Sequence, residues 1–136
     1  MASGNVSISS NGGDNLFDAV ESILNASEIA VMKSAQDAAK VVSNTTVKEL
    51  KAVSPKGKSG KYARGWTKKV QDGGYVVYND TAPGLAHLLN NGHDVVNNGR
   101  VVGHVKGDNH ITNVEREMVE KMVEETQKEL QRRLGQ

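Results

Sequence analysis

With 136 residues, no cysteine and a formal net charge of +1, the chain reads as one domain. Disulfides, thiolate metal sites and a cysteine nucleophile are excluded. One Phe and one Trp leave the core to Val, Leu, Ile, Met and Ala, a thin core that assembly with partners would stabilise. No apolar run is long enough to span a bilayer, and residues 1–14 lack the basic start and apolar stretch of a secretory signal. Synthesis as a soluble intracellular protein is the expectation. The charge is unevenly spread: 48–69 carries eight basic residues against one acid, Glu49, whereas acids outnumber bases over 115–129. That polarity suits head-to-tail contact between copies, or a basic face turned toward nucleic acid.

In chain order, residues 1–13 are mostly Ser, Asn and Gly and are expected to form a disordered tail. A helix is predicted from Asp14, its cap, because Leu16, Phe17, Val20, Ile23, Leu24, Ile29, Val31, Ala35, Ala38, Val42, Val47, Leu50 and Val53 recur at spacings of three and four. It should stop before Pro55, with SNTT at 43–46 as a bend or break. Such length either roofs a sheet or leaves part of the helix for a neighbouring copy, and it favours the second. SPKGKSG at 54–60 reads as a mobile basic loop. Tyr62, Arg64, Trp66, Lys68 and Val70 alternate as a long first strand, Asp72-Gly73-Gly74 turns the chain, and Tyr75-Val76-Val77-Tyr78 returns it. Pro83-Gly84 is a turn, and 85–89 is a short helix stopped by Asn91-Gly92.

Asn97-Asn98-Gly99 between Asp94-Val95-Val96 and Arg100-Val101-Val102 signals a second hairpin. A final helix is predicted from Thr112, which with Glu115 forms a capping box. Its apolar face is Val114, Met118, Met122, Val123, Thr126, Leu130 and Leu134, and Lys128, Arg132 and Arg133 suit its C-terminal dipole. The expected fold class is α+β: the two hairpins join into one antiparallel sheet of about four strands, packed by the long N-terminal helix and the C-terminal helix. Residues 14–136 then form a single domain.

Sets of residues with catalytic spacing are sparse. His87, His93, His104 and His110 stand six, eleven and six apart, without the short spacings of a zinc site, and read more simply as helix and element-end residues. Asp72, Asp80, Asp94 and Asp108 fall in or beside turns, where their side chains bond the local backbone. GKSGK at 57–61 lacks the spacing of a phosphate loop. No nucleophile–base pair can be named, so an enzyme is not expected, nor a cofactor or a metal. Lys56, Lys58, Lys61, Arg64, Lys68 and Lys69, interleaved with Tyr62 and Trp66, resemble a single-strand nucleic-acid surface. With so few aromatics, burial of Trp66 is the better reading, the lysines forming the wet face. A small DNA- or RNA-binding domain is the alternative function.

KYARGW at 61–66, VVYNDTAPGLAHLLNNGH at 76–93, NNGRV at 97–101 and His110-Ile111 together resemble the tail-completion, or tail-to-head joining, family of long-tailed double-stranded DNA phages. The matching positions are Ser54, Pro55, Ser59, Gly60, Lys61, Tyr62, Gly65 and Trp66; Val77, Tyr78 and Asn79; His87, Leu88, Leu89, Asn90, Gly92 and His93; His110 and Ile111. Thr112-Asn113 departs from the Pro-Ala common in the family, and the length is close to that of a member from a Bacillus-infecting phage. The resemblance implies a virion structural protein, monomeric when isolated. It would form a sixfold ring at the head-proximal end of the tail, meeting the tail tube and the head-completion (stopper) protein and continuing the channel for exiting DNA. It also implies a location in the virion, in host cytoplasm during assembly, with no membrane partner. Lys56, Lys58, Lys61, Arg64 and Lys68 are the expected interface residues. Tyr62, Gly65, Trp66, Tyr78, Asn79, His87, Leu88, Gly92, His93 and His110 are expected to serve the fold.

Overall fold

In the computed structural model, which describes residues 11–135, one unbroken helix, α1 (Asn11–Val53), dominates the molecule. Its 43 residues rise about 65 Å at ~1.5 Å each. The expected tail over 1–13 lies outside the described residues except for 11–13, which are helical. Asp14 is therefore inside α1 and not at its cap. The break expected at 43–46 is absent because the hydroxyls bond back to their own helix: Ser43 Oγ to Lys40 O at 2.9 Å, Thr45 Oγ1 to Val41 O at 3.1 Å and Thr46 Oγ1 to Val42 O at 2.7 Å. The helix stops where Pro55 bars the preceding residue from helical backbone. The Lys56 ammonium then reaches back to Lys51 O at 2.6 Å and Ala52 O at 3.3 Å, satisfying carbonyls at the negative end of the helix dipole.

The remaining elements are α2 (Lys61–Arg64), β1 (Trp66–Gln71), β2 (Gly74–Asn79), a 3₁₀ turn (Pro83–Leu85), α3 (Ala86–Asn91), β3 (Gly92–Asn97), β4 (Arg100–Lys106) and α4 (His110–Arg133). The first strand thus begins at Trp66, and the alternation read from Tyr62 is one turn of helix. Tyr62 and Ala63, adjacent in sequence, are both buried, which a helical turn permits and a half-exposed strand does not. A side chain at Gly65 would place its Cβ 2.0 Å from Thr81 Oγ1, so only glycine lets the chain pass there from helix to strand.

The antiparallel helix pair α1 and α4 forms the frame, with Val114 and Met118 clustered against Val42 and Leu50 near the end of α1. Arg133 at the other end of α4 is ion-paired with Asp37. Ser34 and Ala38, fully buried, are the small residues that let the two helices approach. Ser34 Oγ has no hydrogen-bond partner. Ser34→Ala is accordingly expected to raise the unfolding free energy by about 1 kcal/mol in urea titrations, by relieving a stranded hydroxyl. A loss of stability would mean that the hydroxyl is satisfied.

The α+β class stands, but the hairpins do not join: β1 pairs with β2 and β3 with β4 in two separate antiparallel ribbons. In the second ribbon the register is interrupted between Val95 and Val96, and Val96, Val101 and Val102 stay exposed. Its base is also fixed: a Cβ on Gly107 would fall 2.2 Å from Asn90 O, so this strand end lies directly against the end of α3. The ribbon leaves the body from that point with every residue of β4 exposed.

Candidate functional site

The motif residues converge where the end of α1, α2, β2, α3 and the start of α4 meet, and they build a buried polar knot. Trp66 donates its indole N–H to Ser54 Oγ at 2.7 Å, and Ser54 Oγ donates onward to Leu50 O at 2.5 Å. Tyr62 stands edge-on to Trp66 with ring centroids 5.6 Å apart. Asn79, buried, donates to Tyr62 O at 2.8 Å and accepts from Ala82 N at 2.9 Å, so it brackets α2 and the turn after β2 together.

Asp108, His110 and Tyr62 form a chain with the outline of a catalytic relay. His110 Nδ1 lies 2.5 Å from Asp108 Oδ1, and its Nε2 lies 2.8 Å from the Tyr62 hydroxyl. With the proton on Nδ1 facing the carboxylate, Nε2 accepts from the phenol. Burial, and then the negative charge of Asp108, push the Tyr62 phenol up to about 12, away from the range of a nucleophile or base at neutral pH. Burial works to raise the Asp108 carboxyl, but hydrogen bonds from the His110 side chain and backbone outweigh it and hold it below the usual range. The chain therefore locks α2 to the start of α4 and to the loop before it.

This lock sets an alkaline limit. The folded-state pKa of Tyr62 lies above its ordinary value of 10, so its contribution is complete below pH 10 and is lost as pH rises toward about 12. The expected loss is on the order of 2 kcal/mol, read as a falling urea midpoint between those values. In Tyr62→Phe, less stable at neutral pH, that limb should be flat. A wild-type limb as flat as that of the Phe variant would remove the argument.

The α4 N-terminus is capped across space. Asn109, the residue before the helix, is left-handed (φ 57) and makes no side-chain cap. Asn90 of α3 replaces it: its Oδ1 accepts from Ile111 N at 2.8 Å and Thr112 N at 3.1 Å, and its Nδ2 donates to Thr112 Oγ1 at 3.0 Å. Asp108 Oδ1 takes the His110 N–H at 3.0 Å. The capping box expected at Thr112 and Glu115 is therefore not formed, because the helix begins two residues earlier and Thr112 Oγ1 is already engaged by Asn90. Gly92 closes α3 at φ 87, and its N–H donates to Leu88 O. His87 is exposed, Leu88 and Tyr78 are half-buried, and His93 opens β3 with its Nδ1 buried and unpartnered. The histidines stay dispersed: among the described residues no three His, Asp or Glu gather as metal ligands.

The five expected interface residues divide. Lys56 caps α1, Arg64 ties back to Ser59 O at 2.6 Å, and Lys68 bonds Ser43 Oγ at 3.3 Å while lying 4.8 Å over the Tyr75 ring. Lys58 and Lys61 are exposed, and their ammonium groups have no partner among the described residues. They border a shallow cavity of about 320 Å³ that reaches Tyr62, Leu85 and Leu89. Hydrogen bonds from Ser54 N to Leu50 O and from Gly60 N to Lys56 O anchor loop 54–60 at both ends.

Sequence reasoning missed Asn90 as a cap, Ser54 as the Trp66 acceptor, and the uncovered apolar surfaces. Leu16 is 61% exposed and Ile23 65%, although they continue the stripe that Ser34, Ala38 and Val42 bury farther along α1. Val96, Val101 and Val102 on the second ribbon are also more than 60% exposed. No helix among the described residues is long and apolar enough to cross a membrane.

Neither a curated protein nor a solved structure matches the chain. A family model described as "Bacteriophage HK97-gp10, putative tail-component" matches residues 17–92, from the exposed part of α1 through the polar knot to the end of α3. It names no host, so the Bacillus relationship suggested by length has no support. With 76 of its 136 residues matched, the chain belongs to the HK97-gp10-like family of bacteriophage tail components.

Proposed function

We infer that this tail component completes the tail at its head-proximal end. Copies form a ring there, which docks on the head-completion protein of the DNA-filled capsid and continues the DNA channel. The family match carries the reading. It is supported by a body whose buried apolar cluster holds six of the described residues while long apolar stretches of α1 and the second ribbon stay open, as expected of a subunit stabilised by its neighbours. The polar knot keeps the elements rigid without offering reactive groups, which suits a structural part. The nucleic-acid alternative is weakened because Lys56, Arg64 and Lys68 are held by hydrogen bonds within the chain, whereas the exposed ammonium groups of Lys58 and Lys61 have no such partner among the described residues. Through these two, loop 54–60 and the start of α2 meet the head-completion protein.

The test mixes DNA-filled heads with tails assembled with and without the protein and counts joined particles by electron microscopy. Tails lacking it are expected to fail, and the purified protein to restore joining. Lys58→Glu with Lys61→Glu is expected to lower joining about tenfold with an unchanged melting temperature, since neither side chain has a partner to lose. Equal joining without the protein would end the tail-completion reading. Salt-sensitive binding to random DNA would then favour the alternative.

A further inference from the structure

The two uncovered apolar surfaces lie at opposite ends of the helix pair. The β3–β4 ribbon leaves the body beside the start of α4, where Gly107 meets the end of α3. Helix α4 ends at Arg133 beside Asp37, so the first half of α1 runs on without cover. There Leu16, Val20, Ile23 and Val31 prolong the stripe of Ser34, Ala38 and Val42, at steps of three, four or eight residues that keep them on one face. Alone, both elements are marginal: two-stranded ribbons and lone helices gain most of their stability from packing.

Resting on the ring reading above, we propose that the β3–β4 ribbon of one copy docks against the projecting half of α1 of the next copy. The dimensions agree. From Leu16 to Val31 the helix rises about 23 Å, and the seven residues of β4 extend about 23 Å. Charge adds to this at one edge: Glu21 flanks the stripe, Asp18 lies on the opposite face of the helix, and 16–32 holds no Lys or Arg. The ribbon carries Arg100 and Lys106, while its one acid, Asp94, is paired with His104 at 3.0 Å. The contact joins two different patches, so each copy still offers one free patch of each kind. Such a head-to-tail contact extends until it closes on itself, which is how rings arise. A helix-to-helix contact through the same α1 stripe would be self-complementary and would stop at a dimer.

The chain has no cysteine, so single cysteines introduced into the full-length protein report contacts cleanly. Ile23→Cys and Val101→Cys chains are co-assembled onto tails and treated with a short bis-maleimide, and the tails are imaged for rings. Rings with an Ile23→Cys to Val101→Cys link, and little link within either variant alone, are expected. Rings with only Ile23→Cys self-links, or with none, overturn the docking and leave the ring reading intact. Filled positions without rings overturn both. A second arm avoids apolar positions: Arg100→Glu with Lys106→Glu should cut incorporation about tenfold, and Glu21→Lys in the partner copy should restore part of it. No loss, or a loss without rescue, overturns the contact.

Discussion

Trp66→Ala is expected to lower the unfolding free energy by about 4 kcal/mol, the upper range for deleting a buried aromatic. Trp66 is 5% exposed and lies in the cluster of Leu50, Val114 and Met118, so its removal opens a cavity between both long helices and β1. It also strips Ser54 Oγ of its donor at 2.7 Å and Tyr62 of its edge-on neighbour. A domain of this size is stable by roughly 5–15 kcal/mol, so the variant should be largely unfolded at the temperature of assembly and missing from particles. Trp66→Phe refills most of the space but leaves Ser54 unserved, and should lose about 2 kcal/mol. Urea denaturation followed by far-ultraviolet circular dichroism measures both, since the variants lose the only tryptophan. A loss below about 1 kcal/mol for the alanine variant would show that the indole is not the centre of the core.

What was legible in the sequence is what depends on neighbours along the chain. The apolar spacing gave α1 and α4, and Asp72-Gly73 and Asn98-Gly99 gave both turns: these four residues take positive φ, which such residues tolerate. What was not legible depends on residues far apart. Thr112 and Glu115 have the spacing of a capping box, but nothing local reveals that Asn90, twenty-two residues away, already occupies Thr112. Tyr62 to Val70 alternate convincingly, yet Tyr62 is drawn into a helical turn by its bond to His110 and by Asn79 holding its carbonyl. The motif residues could be named, but their common purpose, a polar knot, could not. The side-chain contacts of the basic stretch were not legible either. Counting charges shows neither that the ammonium of Lys56 is folded back on α1 nor that Lys68 lies flat on Tyr75.

Asn90→Ala is expected to cost about 3 kcal/mol, more than the ~1 kcal/mol typical of an exposed cap. Asn90 is 7% exposed, so water cannot readily replace the oxygen that serves Ile111 N and Thr112 N. Two backbone donors at the positive end of α4 are left without an acceptor. Asn90→Asp separates capping from packing. It keeps the acceptor and places negative charge at the helix N-terminus, while Asp108 nearby takes back part of that gain. A loss of about 1 kcal/mol is expected. Hydrogen exchange at Ile111 and Thr112 should quicken in the alanine variant and stay slow in the aspartate variant. The backbone carbonyl of Asn90 also accepts from Asn109 N at 3.0 Å, so backbone and side chain together tie the base of the β3–β4 ribbon to the start of α4, and the alanine variant loses the side-chain half. Loosening it should weaken ribbon-to-α1 linking between copies even where the chain remains folded. If the aspartate variant falls as far as the alanine one, Asn90 matters through its packing, and the capping account of how α4 begins must be given up.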